Sequence, residues 1–169
     1  MLTADILGAQ EFLGWGVGYS ATTHAHLLKG KMVAVIGTTD RVLRSVLELA
    51  QVAERVYLIG DPDESDSSLA SMIAQMPGVE VLDGWAVREI NGGFNVEELV
   101  VIRAGVQRRL PVDAAFIDLG MMDNSALVHG LVQTDVNGFI KVDERRATAM
   151  PGLFAAGDVT TALGEQKLI

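Results

Sequence analysis

Residues Met32–Ala50 read MVAVIGTTDRVLRSVLELA, and this segment determines the architecture of the chain. Its first five residues are an apolar, largely β-branched run that stops at Gly37, a pattern typical of a buried parallel strand. Apolar residues then recur at helical spacing over Val42–Ala50, which predicts an amphipathic helix. A second apolar run follows at Arg55–Ile59. Strand, helix and strand together predict a right-handed βαβ unit, the opening of a dinucleotide-binding fold.

The turn between the first strand and the helix is where the pyrophosphate of a dinucleotide would lie. Such a turn needs one glycine for its geometry, a second for close approach of the backbone to the phosphates, and a small third residue for helix packing. These positions are Gly37, Thr39 and Val42 here, so only the first matches. The N-terminus of the helix can still offer amide donors to an anion. The loop leaves two interpretations open: a nucleotide site, or a Rossmann scaffold that is purely structural.

The composition limits the functions that the chain can perform. Its 169 residues are 49% hydrophobic, with a mean hydropathy of +0.30, so it can bury a sizeable core. A formal net charge of -9 argues against nucleic acid or an anionic membrane surface as a partner. The absence of cysteine excludes disulfides, thiolate catalysis and Cys-ligated zinc in this chain. The first lysine or arginine is Lys29, and no apolar run approaches the roughly 20 residues of a membrane span, so we expect a cytoplasmic protein.

The rest of the chain continues the alternation of strands and helices and then departs from it. After a helix near Ser67–Met76, the run Val79–Leu82 predicts a third parallel strand. Three strand-like runs separated by Asn/Gly and Ala-Gly turns then predict an antiparallel meander, and Ala114–Gly120 returns a strand to the core. The three runs are Trp85–Ile90, Val96–Arg103 and Val106–Leu110.

The two ends of the sequence do not continue the alternation of strands and helices. Residues Met1–Gly30 show no sustained period and are interpreted as an extended approach segment. At the other end, Phe139–Asp143 predicts an apolar strand, and MPGLFAAGDV, residues Met150–Val159, predicts another that ends in Gly157-Asp158. Asp158 would then sit at the carboxyl end of a strand, where carboxylates accept hydrogen bonds from ligand hydroxyls. An Asp that caps a helix explains the same residue.

An acidic loop after the second strand is the candidate contact for a nucleotide ribose. Four of the six residues 61–66 are acidic, and dinucleotide folds hold the adenosine ribose at this strand end. Asp61 is placed to accept from a 2′-hydroxyl, and the acids would repel a 2′-phosphate. We therefore expect NAD(H) rather than NADP(H) if a nicotinamide cofactor binds. A simpler role for Asp63, Glu64 and Asp66 is to cap the next helix, where negative charge interacts favourably with the helix dipole.

A pair of histidines, His24-x-His26, is a weak signal for a metal ion. Metal sites built on histidine need further ligands, and no third ligand lies nearby in the sequence. Polar loop histidines explain the pair, and no metal site is predicted.

Several of these segments resemble the low-molecular-weight thioredoxin reductase family, flavoproteins with two dinucleotide-binding domains. The resemblance covers essentially the whole chain. It implies an α/β, Rossmann-like three-layer FAD/NAD(P)-binding fold, with a parallel sheet and an antiparallel β-meander. The matching pieces are Glu11–Thr22, Lys29–Gly37, Phe116–Gly120, Asn137–Asp143 and Thr148–Val159.

The same resemblance implies how the chain is divided. Residues 1–29 would be an approach segment from the flavin-type domain, and residues 30–115 an NAD(P)-binding-like Rossmann domain. Residues 116–169 would be a partial C-terminal segment of the flavin domain, with Asp158 near the ribityl or pyrophosphate part of the flavin. The candidate cofactor-binding residues are Gly37, Thr38, Thr39, Asp61, Gly157 and Asp158.

The sequence departs from the family where the family carries its chemistry. The family's Cys-Ala-Thr-Cys motif is Ser20-Ala21-Thr22-Thr23 here, so Ser20 and Thr23 stand at the positions of the redox cysteines. A hydroxyl cannot cycle through a disulfide. The family's basic 2′-phosphate motif is replaced by Gly60-Asp61-Pro62, and its N-terminal flavin fingerprint and last flavin-contacting helix are absent. We therefore predict no catalytic residue, and FAD only if missing sequence or a partner chain completes the pocket.

Two functions remain open on this basis. The first is a pseudoenzyme, a non-catalytic Rossmann-fold domain for binding or scaffolding. The second is the NAD(H)-binding half of a cysteine-free, flavin-dependent oxidoreductase that resembles ferredoxin reductases. Apolar strands in residues 121–169 would lack their covering sequence, so we expect a homo-oligomer or a complementing flavin-domain chain. Neither nucleic acid nor a membrane is an expected partner.

Overall fold

The computed structural model describes residues 6–37, 39–60, 67–118, 125–136, 138–157 and 159–161. The chain divides into two compact units, Met1–Gly120 and Met121–Ile169. All β-strands of the sheets formed by the described residues belong to the first unit. No helix among the described residues is both long enough and apolar enough to cross a membrane.

A five-stranded parallel sheet forms the centre of the first unit. Its strands are β1 (Val17–Gly18), β2 (Met32–Ile36), β3 (Arg55–Ile59), β4 (Val79–Leu82) and, after the three strands of a second sheet, β8 (Ala114–Ile117). They lie in the spatial order β1-β8-β2-β3-β4. The chain runs from β2 outward to β3 and β4 on one side, whereas β8 lies on the other side of β2. The strand order therefore reverses between β2 and β8, and such a switch point is where open α/β sheets bind ligands.

Two α-helices, α1 (Asp40–Leu49) and α2 (Ser67–Ala74), pack on one face of this sheet. The inward side of α1 is completely buried against the odd-numbered residues of β2, because successive side chains of a strand point to opposite faces. The predicted strand and helix are therefore confirmed. The buried side of α1 consists of Val42, Leu43, Val46 and Leu49.

A three-stranded antiparallel sheet packs on the other face. Its strands are β5 (Ala86–Gly92), β6 (Val96–Arg103) and β7 (Val106–Pro111). Their inward residues join Ala34 and Ile36 of β2 in one core cluster. Because β2 is buried on both faces, its sequence is a continuous apolar run rather than an alternating one. The predicted three-layer α/β architecture and the meander are confirmed.

The N-terminal segment has more regular structure than predicted. Val17 and Gly18 form the short strand β1, which pairs with β8 at Ala115 and Phe116. A 3₁₀ helix then spans Thr22–Leu28. The 3₁₀ helix departs from the predicted extended segment, and the two-residue strand β1 is too short to show a period in the sequence. Its position is fixed by a partner that lies far away in the chain.

The described residues of the second unit do not form the two strands predicted for it. Ile140 forms isolated bridges with Thr134 and Thr160, and Ala147 forms one with Phe154, but the described residues make no longer ladder there. Turns interrupt the apolar runs. The carboxylate of Asp143, for example, accepts hydrogen bonds from the amides of Arg145 and Ala147 at 2.9 and 2.8 Å. The described part of this unit is therefore built from turns, bridges and a 3₁₀ helix at Ser125–Val128.

Candidate functional site

The switch point between β2 and β8 is built around Gly37. Its φ of +145° lies in a region that side chains rarely adopt, and its amide donates to the carbonyl of Ile59 at 3.0 Å. A Cβ at this position would lie 1.9 Å from the carbonyl oxygen of Asp118 and 2.9 Å from Cγ2 of Val42. The glycine is therefore required by the close approach of the end of β8 and the first turn of α1.

Thr39 begins α1 by capping it. Its Oγ1 accepts a hydrogen bond from the amide of Val42 at 3.3 Å, and its carbonyl accepts from the amide of Leu43 at 3.1 Å. One first-turn amide that could otherwise point at an anion is thus already satisfied. Val42 is fully buried and fits there because Gly37 has no Cβ. Both residues that break the glycine pattern thus make contacts within the chain.

An ion pair lies at the same switch point. Arg41, in the first turn of α1, donates to the carboxylate of Asp118 through Nε and Nη2, both at 2.7 Å. Asp118 follows β8 directly, its amide donates to the carbonyl of Ile36 at 2.8 Å, and its side chain is only 10% exposed. Bidentate, charge-assisted pairs of this kind are among the stronger hydrogen-bonded contacts in proteins.

Sequence reasoning predicted neither member of this pair. Two signals could have identified them. Arg41 places a positive charge near a helix N-terminus, where the macrodipole disfavours it. Asp118 places a carboxylate at the carboxyl end of a strand, the edge of the sheet that binds ligands. Their meeting across the switch point accounts for both.

The described residues at this edge differ from those of a pyrophosphate-binding turn. The fold would place the pyrophosphate of a dinucleotide against the N-terminus of α1. There the hydroxyl of Thr39 occupies an amide donor, and the guanidinium of Arg41 is held by Asp118. The nearby carboxylate also adds a negative charge where two phosphates would need positive partners. The retained Gly37 serves the packing of the chain itself.

Of the other predicted cofactor-binding residues, Gly157 alone is described, and it belongs to the second unit. Thr38, Asp61 and Asp158 lie outside the described part of the chain, as do the helix-capping candidates Asp63, Glu64 and Asp66. In the second unit, the carbonyl of Gly157 accepts from the amide and the hydroxyl of Thr160, at 3.0 and 2.8 Å. Thr160 is buried, so these bonds close a turn.

The positions of the family's redox cysteines lie beside the first sheet. Ser20 follows β1, and Thr23 lies in the 3₁₀ helix Thr22–Leu28. Ala21 and Leu28, at the two ends of this segment, pack in the same core cluster as α1. The segment thus has a place in the core although its sulfur chemistry is absent.

No group of three or more metal-ligating side chains could hold an ion, within the residues that the structure describes. His26 is described together with its side chain, whereas that of His24 is not. The described residues thus supply no further ligands that would make His24 and His26 part of a metal site.

A second ion pair ties together the opposite, amino edge of the sheet. Lys31 Nζ donates to Asp113 Oδ1 at 2.9 Å, and the amide of Met32 donates to Oδ2 at 2.8 Å. Burial by itself raises the pKa of Asp113. The hydrogen bonds from Lys31 and Met32 and the charge of Lys31 outweigh it, so the pKa lies below its ordinary value. A cavity of ≈ 410 Å³ opens beside this pair. Its charged lining residues are Lys31, Glu97 and Asp113, of which Lys31 and Asp113 bind each other.

The carboxylate of Glu80 joins the parallel sheet to the meander through one ion pair and forms a second within the parallel sheet. Glu80 of β4 accepts from Arg108 of β7 and from Arg55 of β3. The hydrogen bond from Arg108 lowers the pKa of Glu80 against the effect of burial, and the charges of Arg108 and Arg55 lower it further. The lowered pKa favours the ionised carboxylate, and its ion pairs link neighbouring strands.

Comparisons with known proteins agree with this fold. Residues 16–168 match the family model of pyridine nucleotide-disulphide oxidoreductases. The chain is 30% identical over 169 residues to an NADH dehydrogenase of Bacillus subtilis, an alignment that covers 98% of this chain and 33% of the relative. It is 29% identical over 170 residues to a thioredoxin reductase of Spironucleus barkhanus, over 98% of this chain and 56% of the relative. The chain therefore spans between a third and little more than half of the length of these curated relatives.

Two solved structures give the same result. The thioredoxin reductase of T. acidophilum is similar with a TM-score of 0.78 at 26% identity, over 95% of this chain and 55% of that one. A ferredoxin-flavin thioredoxin reductase of Clostridium acetobutylicum is similar with a TM-score of 0.56 at 32% identity, over 93% and 50%. The resemblance predicted from the sequence is confirmed. Because the family model covers most of the chain and the three layers are those of its solved relatives, this chain belongs to the pyridine nucleotide-disulphide oxidoreductase family, as a thioredoxin reductase-like domain.

Proposed function

We propose that this chain is a non-catalytic Rossmann-fold domain of the thioredoxin reductase type, which binds or positions a partner instead of transferring electrons. The observation that carries the proposal is the occupation of the switch point by the chain's own polar groups. Thr39 caps α1, and Arg41 binds Asp118 where the fold would hold a pyrophosphate.

The redox half of the family's chemistry supports the same proposal. Ser20 and Thr23 replace the two cysteines, and the whole chain contains no sulfhydryl group. Disulfide exchange requires a thiolate as attacking and leaving group, and an alcohol does neither at neutral pH. This chain therefore has no dithiol that could pass electrons to a disulfide substrate.

Calorimetric titration with NADH and with NADPH tests the proposal. We expect no saturable heat from either nucleotide up to millimolar concentration. A matched variant, Thr39→Gly with Val42→Ala, restores the small residues of the loop and shows whether their bulk contributes to the closure. Circular dichroism checks that this variant folds. Micromolar binding of NADH to the unaltered chain would contradict the proposal.

The second candidate is the NAD(H)-binding half of a cysteine-free, flavin-dependent oxidoreductase. The glycine of the loop is retained at Gly37, with its φ of +145°. One curated relative is named an NADH dehydrogenase, and one solved relative a ferredoxin-flavin thioredoxin reductase. Under this candidate Asp61 selects NADH over NADPH, and FAD binds only with residues that missing sequence or a partner chain supplies. Tighter binding of NADPH than of NADH would exclude the assigned role of Asp61.

A partner for the second unit is part of the proposal. Its described residues expose several large apolar side chains, among them Val136 at 100%, Leu127 at 90% and Phe154 at 64%. Exposed apolar groups of this size mark interaction surfaces when they are contiguous. Self-association, or a complementing flavin-domain chain, would cover them. Sedimentation velocity should show concentration-dependent association that Leu127→Ser with Phe154→Ser weakens, and a strictly monomeric profile at high concentration would rule out self-association.

A further inference from the structure

The ion pair between Arg41 and Asp118 is more than the sheet needs to hold its strands together. β2 and β8 are already joined by a ladder from Val33↔Ala114 to Ile36↔Ile117, and Asp118 extends it through its own amide. At the other edge Lys31 and Asp113 link the same two strands. The carboxyl edge thus carries a further charged contact beyond a complete backbone ladder.

This contact also has two costs. Arg41 lies in the first turn of α1, where the helix macrodipole opposes a positive charge. The side chain of Asp118 is only 10% exposed, so its charge is largely removed from water. A charge so placed needs a compensating partner, and the guanidinium of Arg41 supplies it through two hydrogen bonds at 2.7 Å.

The chemistry of the pair resembles that of a bound anion. The guanidinium fork binds carboxylate and phosphate oxygens in the same bidentate geometry. The two oxygens of Asp118 sit on that fork at the carboxyl edge of the sheet, beside the start of α1. In an open α/β sheet this is the position at which the phosphates of a nucleotide bind.

We propose that Asp118 is an internal pseudo-ligand, a carboxylate of the chain itself that occupies the diphosphate position and holds Arg41 away from external anions. The inference rests on the proposed function, because it supplies a cause for the closed site. Asp118 is then a specificity-determining residue that rejects diphosphates. Arg41 is the side chain that receives a diphosphate once the charge of Asp118 is removed.

The proposal predicts a gain of binding. A diphosphate that enters the unaltered site must displace two charge-assisted hydrogen bonds and leave a carboxylate facing its own negative charge. Asp118→Asn removes that repulsion while it preserves the shape of the side chain. We expect inorganic pyrophosphate and ADP to bind this variant about 10-fold to 100-fold more tightly than the unaltered chain.

Calorimetry on four proteins tests this prediction. Asp118→Asn should gain affinity for both probes, and the double variant Asp118→Asn with Arg41→Gln should lose that gain. Glu98→Gln is the matched control. It removes a carboxylate from another ion pair, with Arg109 at 2.7 Å in the meander, and changes the net charge by the same single unit. This control should bind as weakly as the unaltered chain.

Each outcome decides between the proposals. Equal affinities of Asp118→Asn and Glu98→Gln would overturn the pseudo-ligand, as would a gain that survives the loss of Arg41. Tight binding of ADP or NADH by the unaltered chain would instead overturn the closed site of the proposed function. If circular dichroism shows that Asp118→Asn is unfolded, Asp118→Ser removes the same charge with a smaller polar side chain and is measured under the same criteria.

Discussion

The two edges of the parallel sheet carry the same kind of contact in different settings. At the amino edge, Lys31 precedes β2 and binds Asp113, which precedes β8. At the carboxyl edge, Arg41 follows β2 and binds Asp118, which follows β8. The carboxylate of Asp113 also accepts a hydrogen bond from the amide of Met32, and its side chain is 35% exposed. The side chain of Asp118 is 10% exposed and accepts two hydrogen bonds from the guanidinium of Arg41.

The comparison suggests different roles for two ion pairs of the same kind, according to the edge of the sheet on which each lies. The amino edge of an open α/β sheet is seldom a ligand site, so its ion pair reinforces the register of β2 and β8. Open α/β sheets bind ligands at the carboxyl edge, so under the pseudo-ligand proposal the pair there also decides which molecules can enter. Stability measurements and binding measurements should therefore separate the two edges.

The largest effect should come from Gly37→Ala. The new Cβ would overlap the carbonyl of Asp118, and the φ of +145° is strained for alanine. We expect the free energy of unfolding to fall by more than about 3 kcal/mol, measured by urea denaturation. Gly30→Ala is the matched control. It has a φ of +69° but open space around the added Cβ, so it should cost only about 1 to 2 kcal/mol. Equal losses would show that the carboxyl edge is not tightly packed.

A smaller effect should come from the cap of α1. Thr39→Ala removes the hydroxyl that accepts from the amide of Val42, and we expect a loss of about 1 kcal/mol in the free energy of unfolding. Thr39→Gly should cost only about a few tenths of a kcal/mol, because water reaches the helix end when the side chain is absent. Urea denaturation at pH 7 distinguishes the two, and a larger loss for glycine than for alanine would contradict the capping role.

The smallest effect should appear at the amino edge, as a dependence on pH. The pKa of Asp113 is lowered in the folded state, so the stability contributed by its ionised form is complete above the ordinary Asp value of about 3.9. It is lost as the pH falls through the folded value. Asp113→Asn should reduce the free energy of unfolding at pH 7 by less than about 1 kcal/mol, as for a partly exposed pair.

Urea denaturation between pH 7 and pH 2.5 provides the measurement for this edge. The difference between the unaltered chain and Asp113→Asn should shrink as the solution becomes more acidic. A difference that stays constant over this range would show that ionisation of Asp113 contributes nothing to the edge.

The parallel sheet and the meander were predictable because their signals are local. The apolar run of β2, the helical period of α1 and the turn residues of the meander each lie within a few residues of one another. Burial on both faces makes β2 uniformly apolar, so tertiary structure and local pattern agree there. The family resemblance extended the same assignment to the whole chain.

The rest depended on contacts between distant parts of the chain. β1 exists because β8 provides its partner, and two residues carry no period of their own. Arg41 and Asp118 meet only after β8 has inserted beside β2, so neither residue stands out as half of a pair. In the second unit, apolar runs such as Phe139–Asp143 have strand-like composition. Turns at glycine and at Asp143 interrupt these runs, so that only isolated bridges form.

The strand order also constrains the path by which the chain folds. β2 can pair with β3 soon after both are synthesised, because Val33 pairs with Val56. The other side of β2 pairs only once β8 is present, since Val33 pairs there with Ala114. The entire meander is synthesised in between, and until then the central apolar strand presents an unpaired edge. Such long-range insertion slows folding and lengthens the exposure of the nascent chain to aggregation. Substitutions that weaken β8 should therefore lower the yield of folded protein in cells more than its equilibrium stability alone would indicate.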